Sequence, residues 1–181
     1  WQTDEHPSEQ MTVADELEHV LFFITDVLYR AIPPFYEDIE SAIKRIYGDA
    51  GDKIEIPSIL HFGSWVGGDM DGNPNVNAKT IRATLARQRS LILDLYYNEC
   101  ASIGQKLSQS TGRASFNQDI FDTIEKYRGV FPDAYHAVPA RHRDMPYRVF
   151  LRLVQKRLQS TFDDDVYPYE NVGQFISDIH L

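Results

Sequence analysis

The sequence predicts a mainly α-helical chain carrying one short strand. Apolar residues recur at helical spacing over most of its 181 residues. Glycines and prolines (Pro33-Pro34, Gly48, Gly112, Gly129, Pro132, Pro168) fall between those stripes. One short apolar run, Ile59, Leu60, Phe62, Trp65 and Val66, ends in Gly67-Gly68 and reads as a strand over 59–68. The layout expected is a single helical piece: a helical pair and loop over 1–58, a strand and turn over 59–76, and helices over 77–181.

Residues 12–30 place Leu17, Val20, Leu21, Ile24, Val27 and Leu28 on one helical stripe. Thr12, Asp15 and Glu16 supply the polar start and acidic first turn that a helix N-terminus favours. Pro33-Pro34 predicts a break, since proline lacks the N–H a helix interior needs. A second stripe of Tyr36, Ile39, Ile43, Ile46 and Tyr47 then ends at Gly48, and the two helices are expected to pack as a pair. Residues 48–58 read as a loop. Asn77 is an N-cap for a helix reaching about Leu107, with Ile81, Leu85, Ile92, Leu95, Tyr96, Ile103 and Leu107 as its apolar positions. Ile120, Phe121, Ile124 and Tyr127 mark another helix, closed by Gly129 and Pro132, and 132–145 reads as a connection. Pro146 opens a helix to about Phe162. Asp163-Asp164-Asp165 and Pro168 turn the chain into a last short helix near 170–180.

Composition narrows the function classes. A net charge of −9 argues against a general nucleic-acid binder, which needs a basic field. The one cysteine, Cys100, forms no internal disulfide and sits on a helix as a small apolar residue. No run reaches the ~20 apolar residues of a membrane span. The start, Trp1-Gln2-Thr3-Asp4-Glu5, lacks a signal peptide's basic and apolar regions and an initiator Met, so an excised piece of a cytoplasmic protein is expected.

The most informative stretch is residues 64–76, Ser-Trp-Val-Gly-Gly-Asp-Met-Asp-Gly-Asn-Pro-Asn-Val. Glycine opens backbone angles closed to other residues and allows close approach. In an extended conformation Asp69 and Asp71 would share a side. This stretch closely resembles the Ser-Trp-Met-Gly-Gly-Asp-Arg-Asp-Gly-Asn-Pro-x-Val signature of phosphoenolpyruvate carboxylases. Residues 1–5 resemble that family's Trp-Gln-Thr-Asp-Glu segment, and residues 146–151, Pro-Tyr-Arg-Val-Phe-Leu, its Pro-Tyr-Arg-Val-Ile-Leu helix start. The three matches fall in the family's order and span nearly the whole chain. Family members are several times longer, so the resemblance implies an internal fragment.

That resemblance carries expectations. The strand would belong to a (β/α)8-type barrel in the full-length enzyme, and the whole protein would be a tetrameric homo-oligomer. Its reaction would join bicarbonate to phosphoenolpyruvate, giving oxaloacetate and phosphate, with Mg2+ or Mn2+ as cofactor. The signature turn, Gly67, Gly68, Asp69, Asp71, Gly72 and Asn73, would lie near the active site. Asp69 and Asp71 fit either a metal ligand pair or carboxylates that cap the turn; the family's metal-binding acids lie elsewhere, which favours capping. Met70 departs from the family's Arg and cannot grip an anion as Arg does. Glu5-His6-Pro7-Ser8-Glu9 superficially resembles the family's catalytic Thr-Ala-His-Pro-Thr-Glu segment, but His6 directly follows a motif that should lie well downstream of it. His6 therefore reads as a surface residue, and the isolated fragment is expected to be inactive, with no catalytic residue, metal or cofactor of its own.

A second candidate site is basic. Arg141 and Arg143 precede the last long helix, on which Arg148, Arg152 and Lys156 follow at i, i+4 and i+8. Phe150, Leu151, Val154, Leu158 and Phe162 take the opposite side. The face is either a solvated surface or a contact for an anionic effector or neighbouring subunit, since clustered Arg suits phosphates and carboxylates. His19, His61, His136, His142 and His180 show no metal-ligand spacing, and no Ser/His/Asp order or phosphate loop appears. A stand-alone helical binding or regulatory domain is the rival reading.

Overall fold

A computed structural model of the chain describes residues 11–70 and 74–181. The motif at residues 1–5, His6, Asp71, Gly72 and Asn73 lie outside the described residues. The fold divides into two units, Trp1–Gln88 and Arg89–Leu181.

In the first unit α1 (Val13–Phe22) starts at Thr12, whose side chain accepts from the Asp15 N–H. The Asp15 carboxylate accepts from the Thr12 N–H at 2.9 Å and from its hydroxyl at 2.7 Å. The hydroxyl bond first, then the N–H, hold the Asp15 carboxyl below its ordinary range. A π segment, Phe23–Leu28, follows without a break, and α2 (Tyr29–Tyr47) continues from it. The predicted pair of helices is thus one continuous run over 13–47, with Pro33 and Pro34 inside α2. Those prolines withdraw the N–H groups that would bond the carbonyls of residues 29 and 30, and their rings crowd those carbonyls. The irregularity lies just upstream, where the Tyr29 N–H reaches back five residues to Ile24 O in a wider turn. This turn also rotates Val27 off the predicted stripe: Leu17 and Leu21 are buried, whereas Val27 is exposed.

Gly48 ends α2 at φ 57 and leads into a 3-10 turn, Gly48–Lys53. Gly51 is buried there, and a Cβ on it would meet Ile43 atoms at 3.2 Å. Beyond Lys53 the chain has no regular secondary structure as far as Trp65, and no strand occurs among the described residues. The strand predicted over 59–68 is corrected accordingly. A β ladder needs a neighbour, and here the backbone of 55–64 makes a single hydrogen bond among the described residues, from Ile59 N–H to the Tyr36 hydroxyl at 2.8 Å.

Asn77 caps α3 (Ala78–Lys106), its side chain accepting from the N–H groups of Lys79 at 2.9 Å and Thr80 at 3.2 Å. Cys100 is buried on this helix, as the sequence predicts, but Leu85 and Ile103 are exposed. Thr84 and Cys100 occupy the packed positions beside them.

The second unit contains α4 (Gln118–Val130), the short α5 (Pro132–His136), α6 (Pro146–Asp163) and α7 (Val172–Ile179). Asn117 and Asn171 cap α4 and α7 with their side-chain oxygens. The core is built on α6, eleven of whose eighteen residues are buried. Leu153, Val154 and Leu158 meet Ile120, Ile124 and Tyr127 of α4 there. Such a helix is held by packing rather than by intrinsic propensity. Phe162, predicted on the packed side, is exposed at the end of α6, one residue before Asp163; Asp164 then turns left-handed at φ 51. No described helix is long and apolar enough to cross a membrane.

Candidate functional site

The signature turn is held by its own backbone and by α3. Trp65 O accepts from the N–H groups of Gly68 and Asp69, each at 3.0 Å. Gly67 has φ +76, and a Cβ there would lie 2.2 Å from the Thr84 hydroxyl oxygen. Both facts require glycine. The buried Thr84 hydroxyl donates to Gly67 O at 3.4 Å, tying the turn to the first turns of α3. Gly68 differs: a Cβ on it would meet only Trp65 O, at 3.7 Å. Asp69 and Met70 are exposed at the end of the turn. Of the predicted turn residues, the structure therefore brings together Gly67, Gly68 and Asp69; Asp71, Gly72 and Asn73 lie outside the described residues.

The basic residues separate into two roles. Arg148, at the start of α6, donates to two carbonyls at the end of α3, Gln105 O at 2.8 Å and Leu107 O at 3.1 Å. A planar guanidinium serves both at once, and a cation beside a helix C-terminus opposes the negative end of its dipole. Arg152, one turn on, is exposed and has no hydrogen-bond partner among the described residues. Both line a cleft of about 450 Å3 in the second unit, together with His142, Gln105 and Gln155. Arg141 and Arg143 do not line it: Arg141 donates to the His142 ring at 3.3 Å and Arg143 to Val138 O at 3.4 Å. Lys156 reaches Gln159 Oε1 instead.

Sequence reasoning missed a buried cluster around Arg157. Its guanidinium donates to the Tyr127 hydroxyl and to Gln174 Oε1, each at 2.7 Å, and lies 3.4 Å from Asp178 Oδ2. The hydroxyls of Tyr127 and Tyr169 also donate to Asp178. Arg157 sits 3.9 Å from the Tyr169 ring centre and 4.5 Å from that of Tyr167, so aromatic faces supplement the ion pair. Burial, then bonding to the Asp178 carboxylate, pushes both Tyr127 and Tyr169 well above the ordinary tyrosine range. The signal was present: Arg157 falls seven residues after Phe150 and three after Val154, on the apolar stripe, where a cation needs buried partners. This cluster joins α4, α6 and α7 and lines none of the cleft around Arg152.

Among the described residues no group of three or more His, Cys, Asp or Glu side chains is placed to hold a metal ion. The family model for phosphoenolpyruvate carboxylase matches residues 1–170. The phosphoenolpyruvate carboxylase of Xanthomonas euvesicatoria pv. vesicatoria is 45% identical over all 181 residues, which make up 20% of that protein. The enzymes of Synechocystis sp. and Synechococcus sp. are 34% and 33% identical over 89% and 90% of this chain, and 15% of each of theirs. The chain thus spans about a fifth or less of the length of these curated relatives. No solved structure matches it. With a family model covering all but its last eleven residues, and a relative aligned along its whole length, the chain belongs to the phosphoenolpyruvate carboxylase family.

Proposed function

We propose that the chain is one segment of an enzyme that joins bicarbonate to phosphoenolpyruvate and releases oxaloacetate and phosphate. The observation that carries this is the match over residues 1–170, with the signature at 64–76 at its centre. In such a reaction a divalent cation, Mg2+ or Mn2+, and cationic side chains offset the charge of the phosphoryl and enolate groups. Among the described residues no group of side chains fits a metal site. The whole enzyme is a cytoplasmic homo-oligomer, a tetramer in this reading. The segment's own contribution is to hold the turn over 64–70 against α3 near the reacting groups, with Asp69 at its exposed end. Alone, it turns nothing over.

The test grafts these 181 residues into the Xanthomonas enzyme in place of the matching fifth. Oxaloacetate formation, followed by coupled NADH oxidation, is expected from the graft and not from the isolated chain. A soluble, assembled graft with no turnover would favour the rival reading of a separate binding domain; turnover by the isolated chain would refute its inactivity.

A second role is favoured by the cleft that Arg148, Arg152 and His142 line. It receives an anion, either a phosphorylated or carboxylate effector or an acidic surface of a neighbouring subunit. Arg148 already serves the carbonyls of α3, so Arg152 is the cleaner probe. In the active graft, Arg152→Gln is expected to weaken effector response or assembly, and to flatten their dependence on salt. An unchanged response, assembly and salt profile would leave a solvated helix face.

A further inference from the structure

Over Ala78–Gln88, the first turns of α3, Thr84 alone is buried, and Gly67 of the signature turn lies against it. The fit is reciprocal. Gly67 leaves no room for a Cβ, because the Thr84 hydroxyl oxygen would stand 2.2 Å and its methyl carbon 3.3 Å from one. The hydroxyl also behaves unlike those of other helical threonines. Thr25, Thr123 and Thr161 each donate to the carbonyl four residues back, the usual local bond of a threonine within a helix. Thr84 donates instead to Gly67 O, seventeen residues away in sequence, at 3.4 Å. That carbonyl has no other donor among the described residues. At this length the bond is weak, so shape and donor act together.

The turn above this contact is closed on itself. Trp65 O accepts from the N–H groups of both Gly68 and Asp69, and Ser64 Oγ accepts from the Val66 N–H at 3.1 Å. A turn bonded in this way shifts as one piece, and Thr84 is where it rests on the helix. We infer that Thr84 is a positioning residue for the carboxylation, setting through Gly67 where the turn over 65–69 stands. This rests on the reading of that turn as lying near the reacting groups. Thr84 is 5% exposed and reaches no reactant itself; its effect passes through the turn. Reacting groups tolerate little misplacement, since a shift of about 1 Å can cost on the order of a hundredfold in rate.

Two variants of similar size test it in the active graft. Thr84→Val keeps the branched shape, removes the donor and leaves the Gly67 carbonyl unpaired. Thr84→Ser keeps the donor and gives up only a methyl group. Thr84→Val is expected to lower kcat about tenfold while KM stays within about twofold, the pattern of an interaction realised in the transition state. Thr84→Ser should retain most of the turnover. A lower melting temperature with kcat per folded molecule preserved would overturn the inference, because a purely structural residue behaves so. Equal losses of kcat from both variants overturn it too, since the donor then decides nothing. A parent graft without turnover counts against the carboxylase reading, and the placement is then read in the isolated chain. There the Gly68 and Asp69 amides should exchange hydrogen about threefold faster or more in Thr84→Val than in Thr84→Ser, as the turn loosens locally. Equal exchange overturns the placement whatever the graft does.

Discussion

α2 and α6 have nearly the same length and the same kind of amphipathic sequence, and they end in opposite states. α6 buries eleven residues, and Leu153 and Val154 have no exposed surface at all. α2 buries none. The contrast teaches that periodicity names the face a helix offers, not whether a partner is present to take it. In the second unit α4 and α5 supply that partner, together with the polar cluster that fastens α7. In the first unit the 3-10 turn and the chain up to Ile59 cover the α2 stripe only in part, leaving Ile32, Tyr36, Ile39 and Ile43 half-buried.

The sharpest way to break the contrast is to unfasten the second unit. Asp178→Ala leaves the Arg157 guanidinium buried without its carboxylate, a loss of about 3–5 kcal/mol for a broken buried pair. Cys100 provides the measurement. Burial, chiefly, pushes its thiol up to about 11, so it should resist labelling at neutral pH until this unit opens. In the variant, Cys100 is expected to label at lower urea concentration. Tyr169→Phe removes one donor to the same carboxylate and is expected to cost about 1.5–3 kcal/mol by the same readout.

In the first unit, Gly67→Ala forces a left-handed φ on alanine and drives its Cβ into Thr84. The conformational part alone amounts to about 1–2 kcal/mol, whereas Gly68→Ala should be near neutral. Far-UV circular dichroism during thermal unfolding of the two variants compares them directly. If both behave alike, the turn does not have the geometry described here.

Alkaline pH should separate the units as well. Tyr127 and Tyr169 have ordinary values of 10.0, and the fold raises both. Unfolding therefore releases protons above about pH 10, and the stability they confer is full below that pH and declines as pH rises further. Cys100 labelling against urea at pH 9 and pH 10.5 should show the loss, and Tyr169→Phe should reduce it. The smallest effect is expected on α2, where Ile46→Ala stays within about 0.5 kcal/mol of the parent in the isolated chain, as exposed substitutions do. A drop like that of a core residue would mean that α2 is covered after all.

Much of this was legible in the residues. Asn77, Pro146 and the Ile120–Tyr127 stripe locate α3, α6 and α4, because caps and helical period are local signals. The signature placed the turn, and Gly67 shows why its glycine is needed. Less legible was anything that depends on a distant partner. The short apolar run at 59–68 reads as a strand whether or not a neighbour exists to pair with it. Pro33-Pro34 reads as a break, since nothing local announces a π turn before it. Arg148 and Arg157 look alike in a list of basic residues, yet one closes the end of α3 and the other lies in the core.

The π segment has a consequence for length variation. Its hydrogen bonds reach back five residues rather than four, so it works as a phase shifter between α1 and α2. One residue removed from 23–28 would let the α ladder run straight through. The wider turn already lags an α-helix by about one residue's 100°, so the deletion would leave every side chain from Tyr29 onward at about its present angle to Leu17 and Leu21. A single deletion is therefore tolerable in this stretch, because the apolar stripe of α2 would keep its direction.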